Sequence, residues 1–358
     1  MSETAAHLSP VGPTDPLAAI APVIESDTAA HLSPLDPTDP LTAIESAAAA
    51  YRNWGRFGDD DVWGTLNFID DAKRAAAATL IRRGATFSLS QLFDGNGPQN
   101  GWRRRTNPVH TMLDTGVDAA LGNQGFPHGI GGADDVVSMP LQASTQWDGL
   151  GHIFDRGKAW NGRNAQDVVT SEGDLVTGIE TARDRFVSRG VLLDVGAALG
   201  DELGTPGELP DGFAITPEHL DRVIEAQGVT SAVGRGDILL VRTGRLTRAR
   251  REGWKDYAGG PSAGLSFTSA GWLHARDVAA VATDTWGFEV RPNEFDVAFQ
   301  PLHQIAIPNM GLFIGELWDL DALAADCAAD GRYEFFLTAA PIPFTNAVGA
   351  PVNPIAVK

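Results

Sequence analysis

Gly236-Asp-Ile-Leu-Leu-Val-Arg-Thr-Gly244 sets four consecutive apolar residues between two glycines. So short a run between turn formers reads as a strand buried on both faces. The same pattern returns in Arg189-Gly-Val-Leu-Leu-Asp194, a turn followed by a buried strand. Further strands are expected at Ala85–Phe93, Val136–Ala143, Val278–Thr283, Leu312–Ile314 and Tyr333–Ala340. Between them the pattern turns helical. Asp71–Arg83 has a small-residue face and ends at Gly84, and Thr216-Pro217 opens a helix that Gly228 closes. Thr268–Arg276 and Asp319–Asp326 also read as helices. Strands and helices alternate without a regular βαβ period, so the fold class is α/β or mixed α+β. No Gly-x-Gly-x-x-Gly or phosphate-loop motif appears, so no nucleotide cofactor is expected.

Composition agrees. Forty glycines and 22 prolines in 358 residues are too many for a helix bundle. The net charge of −19 argues against nucleic acid or an anionic membrane surface as partner. A single cysteine, Cys327, excludes an internal disulfide framework and a cysteine-based zinc cluster. No apolar run reaches the roughly 20 residues of a spanning helix, and no signal peptide is visible. These features lead us to expect a cytoplasmic protein.

The first 50 residues form a separate arm. Thr4–Ile20 returns as Thr28–Ile44 with a period of 24, and residues 1–50 as a whole are rich in proline and carry seven acids but no Lys or Arg. Two copies are too few to stack as a solenoid. Residues 1–50 are therefore read as an arm and 51–358 as the catalytic body, with His7 and His31 as by-products of the duplication. Residues 94–130 form a long polar segment with Trp102, Arg103, Arg104, Arg105, His110 and His128, of the kind that serves as a functional loop or lid. The three arginines could be a solvated patch or a lure for an anionic substrate.

Two clusters carry candidate chemistry. In Gln142-Ala-Ser-Thr-Gln146-Trp-Asp148-Gly-Leu-Gly-His152, a carboxylate and an imidazole stand four residues apart, a pair suited to Zn²⁺ or Mn²⁺ or to a plain hydrogen bond. In Leu302-His303 through Gly315-Glu316, a histidine and a carboxylate flank an apolar stretch, where an unpaired charge would be costly. His303 could shuttle a proton and Glu316 could hold a metal or accept a hydrogen bond. Trp147, Trp160 and Trp286 each neighbour a candidate residue and read either as core or as walls of an aromatic pocket.

These segments, in this order, resemble the cyclase family that includes bacterial kynurenine formamidases and isatin hydrolases. The family motif His-x-Gly-Thr-His-x-Asp-x-Pro-x-His aligns on Thr145. The resemblance continues through Arg189–Asp194, Gly236–Gly244, Trp272, Val281–Asp284, His303–Glu316 and the tail Pro341–Pro354. It implies a swivelling β/β/α fold with two sheets and peripheral helices, assembling as a homodimer or homotetramer. It also implies a hydrolase acting on a C–N bond of a small cyclic or acyl amide, with water attacking the carbonyl. In the family the first two histidines and the aspartate bind metal. Here Gln142 and Gln146 replace those histidines and Leu150 replaces the proline, while Asp148 and His152 remain. One expectation is thus a single divalent cation, Zn or Mn, held by Gln146, Asp148 and His152, with His303 and Glu316 assisting catalysis. A second is a metal-independent lyase, dehydratase or cyclase that uses Asp148, His152, His303 and Glu316 as acid–base groups. A third is a non-catalytic binding protein. In each, Gln142, Gln146, Trp147, Trp160 and Trp286 are the candidate ligand contacts.

Overall fold

The computed structural model of the protein describes residues 39–229 and 233–358. His7, His31 and most of the duplicated arm lie outside the described residues. Nine strands form one sheet: β1 (Thr86–Ser88), β2 (Gln146–Asp148), β3 (Val187–Asp194), β4 (Ile238–Arg242), β5 (Ala280–Thr283), β6 (Phe313–Glu316), β7 (Glu334–Thr338), β8 (Gly349–Pro351) and β9 (Ile355–Val357). Their order is β1-β9-β7-β3-β4-β5-β6-β2-β8. β3, β4, β5 and β6 are mutually parallel, and the flanking strands pair antiparallel. Besides this sheet, the described residues hold three two-stranded ones.

The strand alternation explains the continuous apolar runs. Val191, Leu193, Leu239, Val241, Val281 and Ile314 enter one core cluster. Their neighbours Leu192, Ile238, Leu240, Ala280, Ala282 and Phe313 enter another. Successive side chains on a strand point to opposite faces, so a sheet covered on both sides needs apolar residues at every position. The helix Pro217–Gln227 covers part of the first layer with Leu220 and Val223, and ends at Gly228 with φ 58°. Pro40–Ala50, which begins in the last residues of the second repeat copy and runs past its end, is also helical. Asp39 caps it, and Ile44, Ala47 and Ala48 pack into the same layer.

Several expected elements differ. The helix from Asp71 stops at Ala78, because the chain then turns so that the amides of Arg83 and Ala85 donate to the Lys358 carbonyl. The strand expected over Ala85–Phe93 contracts to β1. The strand expected over Val136–Ala143 is Asp134–Ser138, ending before Pro140, which has no amide to donate. It pairs with Val109–Asp114 in an exposed hairpin and does not join the sheet. The expected polar loop 94–130 thus supplies half of a projecting arm, with the short helix Gly116–Ala120 near its tip. No helix among the described residues is long and apolar enough to cross a membrane.

Candidate active site

β2 lies between β6 and β8, and its register builds the site. Gln146 pairs directly with Glu316, and Trp147 with Gly315. Gln146, Asp148 and Glu316 thereby share one face of the sheet while Trp147 takes the other. A side chain at 315 would meet Ala282, Trp318 and Trp147 within 2.9 Å, so glycine there lets the Trp147 ring seat itself. Thr145 ties the two strands together. Its hydroxyl donates to the Leu317 carbonyl at 2.6 Å and accepts the Gln91 amide at 2.9 Å.

All four polar side chains at the centre are buried: Gln146, Asp148, His303 and Glu316. Gln146 Nε2 donates to Glu316 Oε2 at 3.0 Å and lies 3.4 Å from Asp148 Oδ1. Only the NH₂ end of an amide can face two carboxylates, which fixes its orientation. Among the described residues its Oε1 then has no partner, and neither do the buried Gln142 Nε2 and Ser144 Oγ on the same segment. His303 comes from the short helix Pro301–Ile305. Its Nε2 faces Glu316 Oε1 at 3.2 Å, and its Nδ1 donates to Glu289 Oε1 at 2.5 Å. Glu289 also accepts the backbone amides of Leu302 and His303, so one carboxylate caps this helix and orients its imidazole. Gln300 Nε2 lies 3.4 Å from His303 Nε2.

The charges follow from this packing. Burial alone would lower the His303 pKa, but hydrogen bonds to Glu289 and Glu316 outweigh it and raise it to about 10. Burial raises the Asp148 carboxyl; His152 opposes that shift and Glu316 adds to it. His152 is the reverse case. Burial lowers its pKa against the pull of Asp148, and its Nε2 stands 3.7 Å from Asp148 Oδ1, beyond hydrogen-bond reach. Among the described residues no hydrogen bond reaches its ring.

Asp148, His303 and Glu316 offer three ligand atoms within 4.8 Å of one another. One imidazole and two carboxylates suit Zn²⁺ or Mn²⁺, and a ligating histidine is commonly steadied by a carboxylate on its other nitrogen, as Glu289 does here. The donor chemistry therefore fits a divalent cation. This set differs from the expected Gln146, Asp148 and His152: His303 and Glu316 take the flanking places, and His152 stands outside it.

Of the three tryptophans, Trp286 alone is not part of the core layer on the far face. It follows the end of β5, next to Gly287, whose Cβ position would lie 3.9 Å from Glu316 Oε1. Trp147 stacks on Phe186 and donates to the Ala339 carbonyl. Trp160 donates to Asp61. Both are fully buried in the core layer on the far face, so neither ring reaches the polar cluster. Sequence reasoning missed Glu289 and Gln300. The signal for Glu289 was a lone carboxylate in the apolar run Gly287-Phe-Glu-Val290.

A nine-stranded mixed sheet with a buried carboxylate–imidazole cluster at the β2–β6 pairing defines a cyclase-type α/β protein. The family profile named Cyclase, described as "Putative cyclase", matches residues 62–290. A crystal structure described as a novel cyclase is 39% identical, covering 86% of this chain and 100% of that one, with a TM-score of 0.76. The chain belongs to the cyclase family. Isatin hydrolase A from Ralstonia solanacearum is 15% identical over 79% of this chain and 95% of its own, with a TM-score of 0.56. Isatin hydrolase A from Labrenzia aggregata, bound to benzyl benzoate, is 17% identical over 78% and 94%, with a TM-score of 0.52. At these identities the two hydrolases share the fold. A search of curated protein sequences returns no match.

Proposed function

We propose that the protein is a hydrolase that opens a C–N bond in a small cyclic or acyl amide. The observation that carries this reading is the Asp148–His303–Glu316 set with the His152 ring 3.7 Å from Asp148. A divalent cation held by those three side chains would polarise the carbonyl and acidify water. The proton work falls to His152. As a ligand His303 would be engaged on both ring nitrogens, by the cation and by Glu289, whereas the His152 ring makes no hydrogen bond among the described residues and burial lowers its pKa, so it is neutral near pH 7 and ready to accept a proton from water. It can then return that proton to the leaving nitrogen. Gln142 Nε2 and Ser144 Oγ, both without partners among the described residues, can hydrogen-bond the substrate.

The Gln146 amide favours a second reading. Its NH₂ already bridges Asp148 and Glu316, which is what a metal-independent lyase, dehydratase or cyclase would need to keep two carboxylates together. The deciding experiment sets hydrolysis of a panel of cyclic imides, lactams and N-formyl amines beside elemental analysis and a chelator arm. Metal-dependent release of carboxylate, reduced at least ~100-fold in His152→Ala, is the expected result. Turnover that survives exhaustive chelation supports the second reading, and no turnover of any amide by metal-loaded protein refutes the first.

The same proposal includes self-association. The projecting arm exposes Val109, Met112, Leu113, Val117, Leu121, Phe126, Ile130, Val136 and Val137. Their exposed area is on the order of 900 Å², close to the roughly 800 Å² that each partner gives to a standard interface. A two-stranded hairpin is marginal alone in water, so a second copy of this chain is its fitting cover.

A further inference from the structure

The loop leading to the projecting arm brings one charge inward. Gly101, Arg103 and Arg104 all take positive φ, and this tight turn leaves Arg103 and Arg104 at the surface while Arg105 is 8% exposed. Its guanidinium sits 5.1 Å from the Trp286 ring centroid. Among the described residues four arginines are buried to this degree. Arg189 pairs with Asp237, Arg242 with Asp194 and Asp321, and Arg245 with Asp211 and Asp256. Among the described residues no carboxylate pairs with the Arg105 guanidinium and no hydrogen-bond acceptor meets it. A buried cation left unpaired is costly, so its natural complement is an anion that arrives from outside.

The surroundings suit a planar anion. Trp102 meets Trp286 edge-on at 4.8 Å. Trp286 Nε1 donates to Gln99 Oε1, and Gln99 Nε2 donates to the Ala143 carbonyl, which joins this aromatic wall to the segment carrying Ser144 and Gln146. Arg291 lies 5.4 Å from the Trp102 ring, with its Nε and Nη1 unpartnered. The charge of Arg105 also reaches the reacting cluster, where it acts on both Asp148 and His152.

We propose that Arg105, backed by the Trp286 ring, binds a carboxylate on the substrate, so that this site takes small aromatic amides that also carry an ionised carboxylate. The amide half of that statement rests on the hydrolase reading; the anion half does not. Arginine suits the task because its planar fork meets a carboxylate with two parallel hydrogen bonds and stacks on an aromatic face.

Calorimetry with benzoate and its neutral isostere benzamide, in EDTA so that no metal captures the carboxylate, tests the anion site. Benzoate should bind the wild-type protein at least tenfold more tightly than benzamide. Arg105→Met should lose at least tenfold in benzoate affinity with benzamide unchanged, and Arg105→Lys should fall between. Without ligand, Arg105→Met should melt no lower than wild type, because it removes an unpaired charge; a structural arginine would show the opposite. Arg105→Gln serves as the second variant should the methionine form fail to fold. Equal binding of benzoate and benzamide, or full benzoate affinity in the variants, overturns the proposal. Matched amides with and without a ring carboxylate are assayed in parallel. Arg105-dependent benzoate binding without turnover of any amide removes the hydrolase reading and leaves the anion site standing. Turnover of neutral amides without that binding does the reverse.

Discussion

Gln146→Leu strips the centre of the site of its one bridging donor while keeping nearly the same volume. In the wild type, the amide gives a 3.0 Å bond to Glu316 and a 3.4 Å contact to Asp148. A hydrogen bond to a charged partner contributes ~1.5–3 kcal/mol. The longer contact is weaker. It is nevertheless the sole side-chain hydrogen bond to Asp148 among the described residues, since His152 stands at 3.7 Å. Losing both leaves two buried carboxylates facing each other, partly relieved because burial already raises the Asp148 pKa and lets it take a proton. The expected cost is about 2–4 kcal/mol, or a fall in melting temperature of roughly 3–5 °C. Guanidinium denaturation in EDTA at pH 7, with thermal melts alongside, measures it. A leucine variant as stable as wild type, or more so, would show that the amide does not hold these carboxylates together.

Gly315→Ala should cost about 1–3 kcal/mol by overpacking against Ala282, Trp147 and Trp318, and shift β6 so that Glu316 leaves its register with Gln146. Turnover should fall ~100-fold in a folded protein, as misplacement by about an ångström does; a variant with wild-type melting and turnover would count against the register argument. Light scattering should find a dimer or tetramer, and Leu113→Asp with Ile130→Asp should shift it toward monomer. A wild-type monomer at micromolar concentration would remove the case for the arm as an interface.

The sequence carried the sheet best where it is covered on both faces. The runs 191–193 and 238–241 could be little else, and they became β3 and β4. It failed where context overrode pattern. Val136 and Val137 have the composition of a core strand, yet they lie on the exposed arm, because nothing local says whether a partner strand lies in the sheet. Asp148, His303 and Glu316 were legible as chemistry-bearing residues, but their meeting depends on β2 entering between β6 and β8, a long-range pairing with no local signal. Glu289 was missed for a related reason. Its role as both helix cap and imidazole partner appears only once residues 289 and 303 are brought face to face. Trp147 was misleading because adjacency in sequence places a strand residue on the opposite face from its neighbours.

The antiparallel entry of β2 also sets a timetable for synthesis. Gln146 and Glu316 are 170 residues apart. At ribosomal speeds of about 5–20 residues per second, the first half of the site waits roughly 10–35 s for the second to emerge. The other neighbour of β2, β8, comes later still, at Gly349–Pro351. Throughout that interval the Gln-Trp-Asp strand has both edges open and its large indole without a seat, which makes it a natural handle for a chaperone. The site is therefore among the last features of the nascent chain to close.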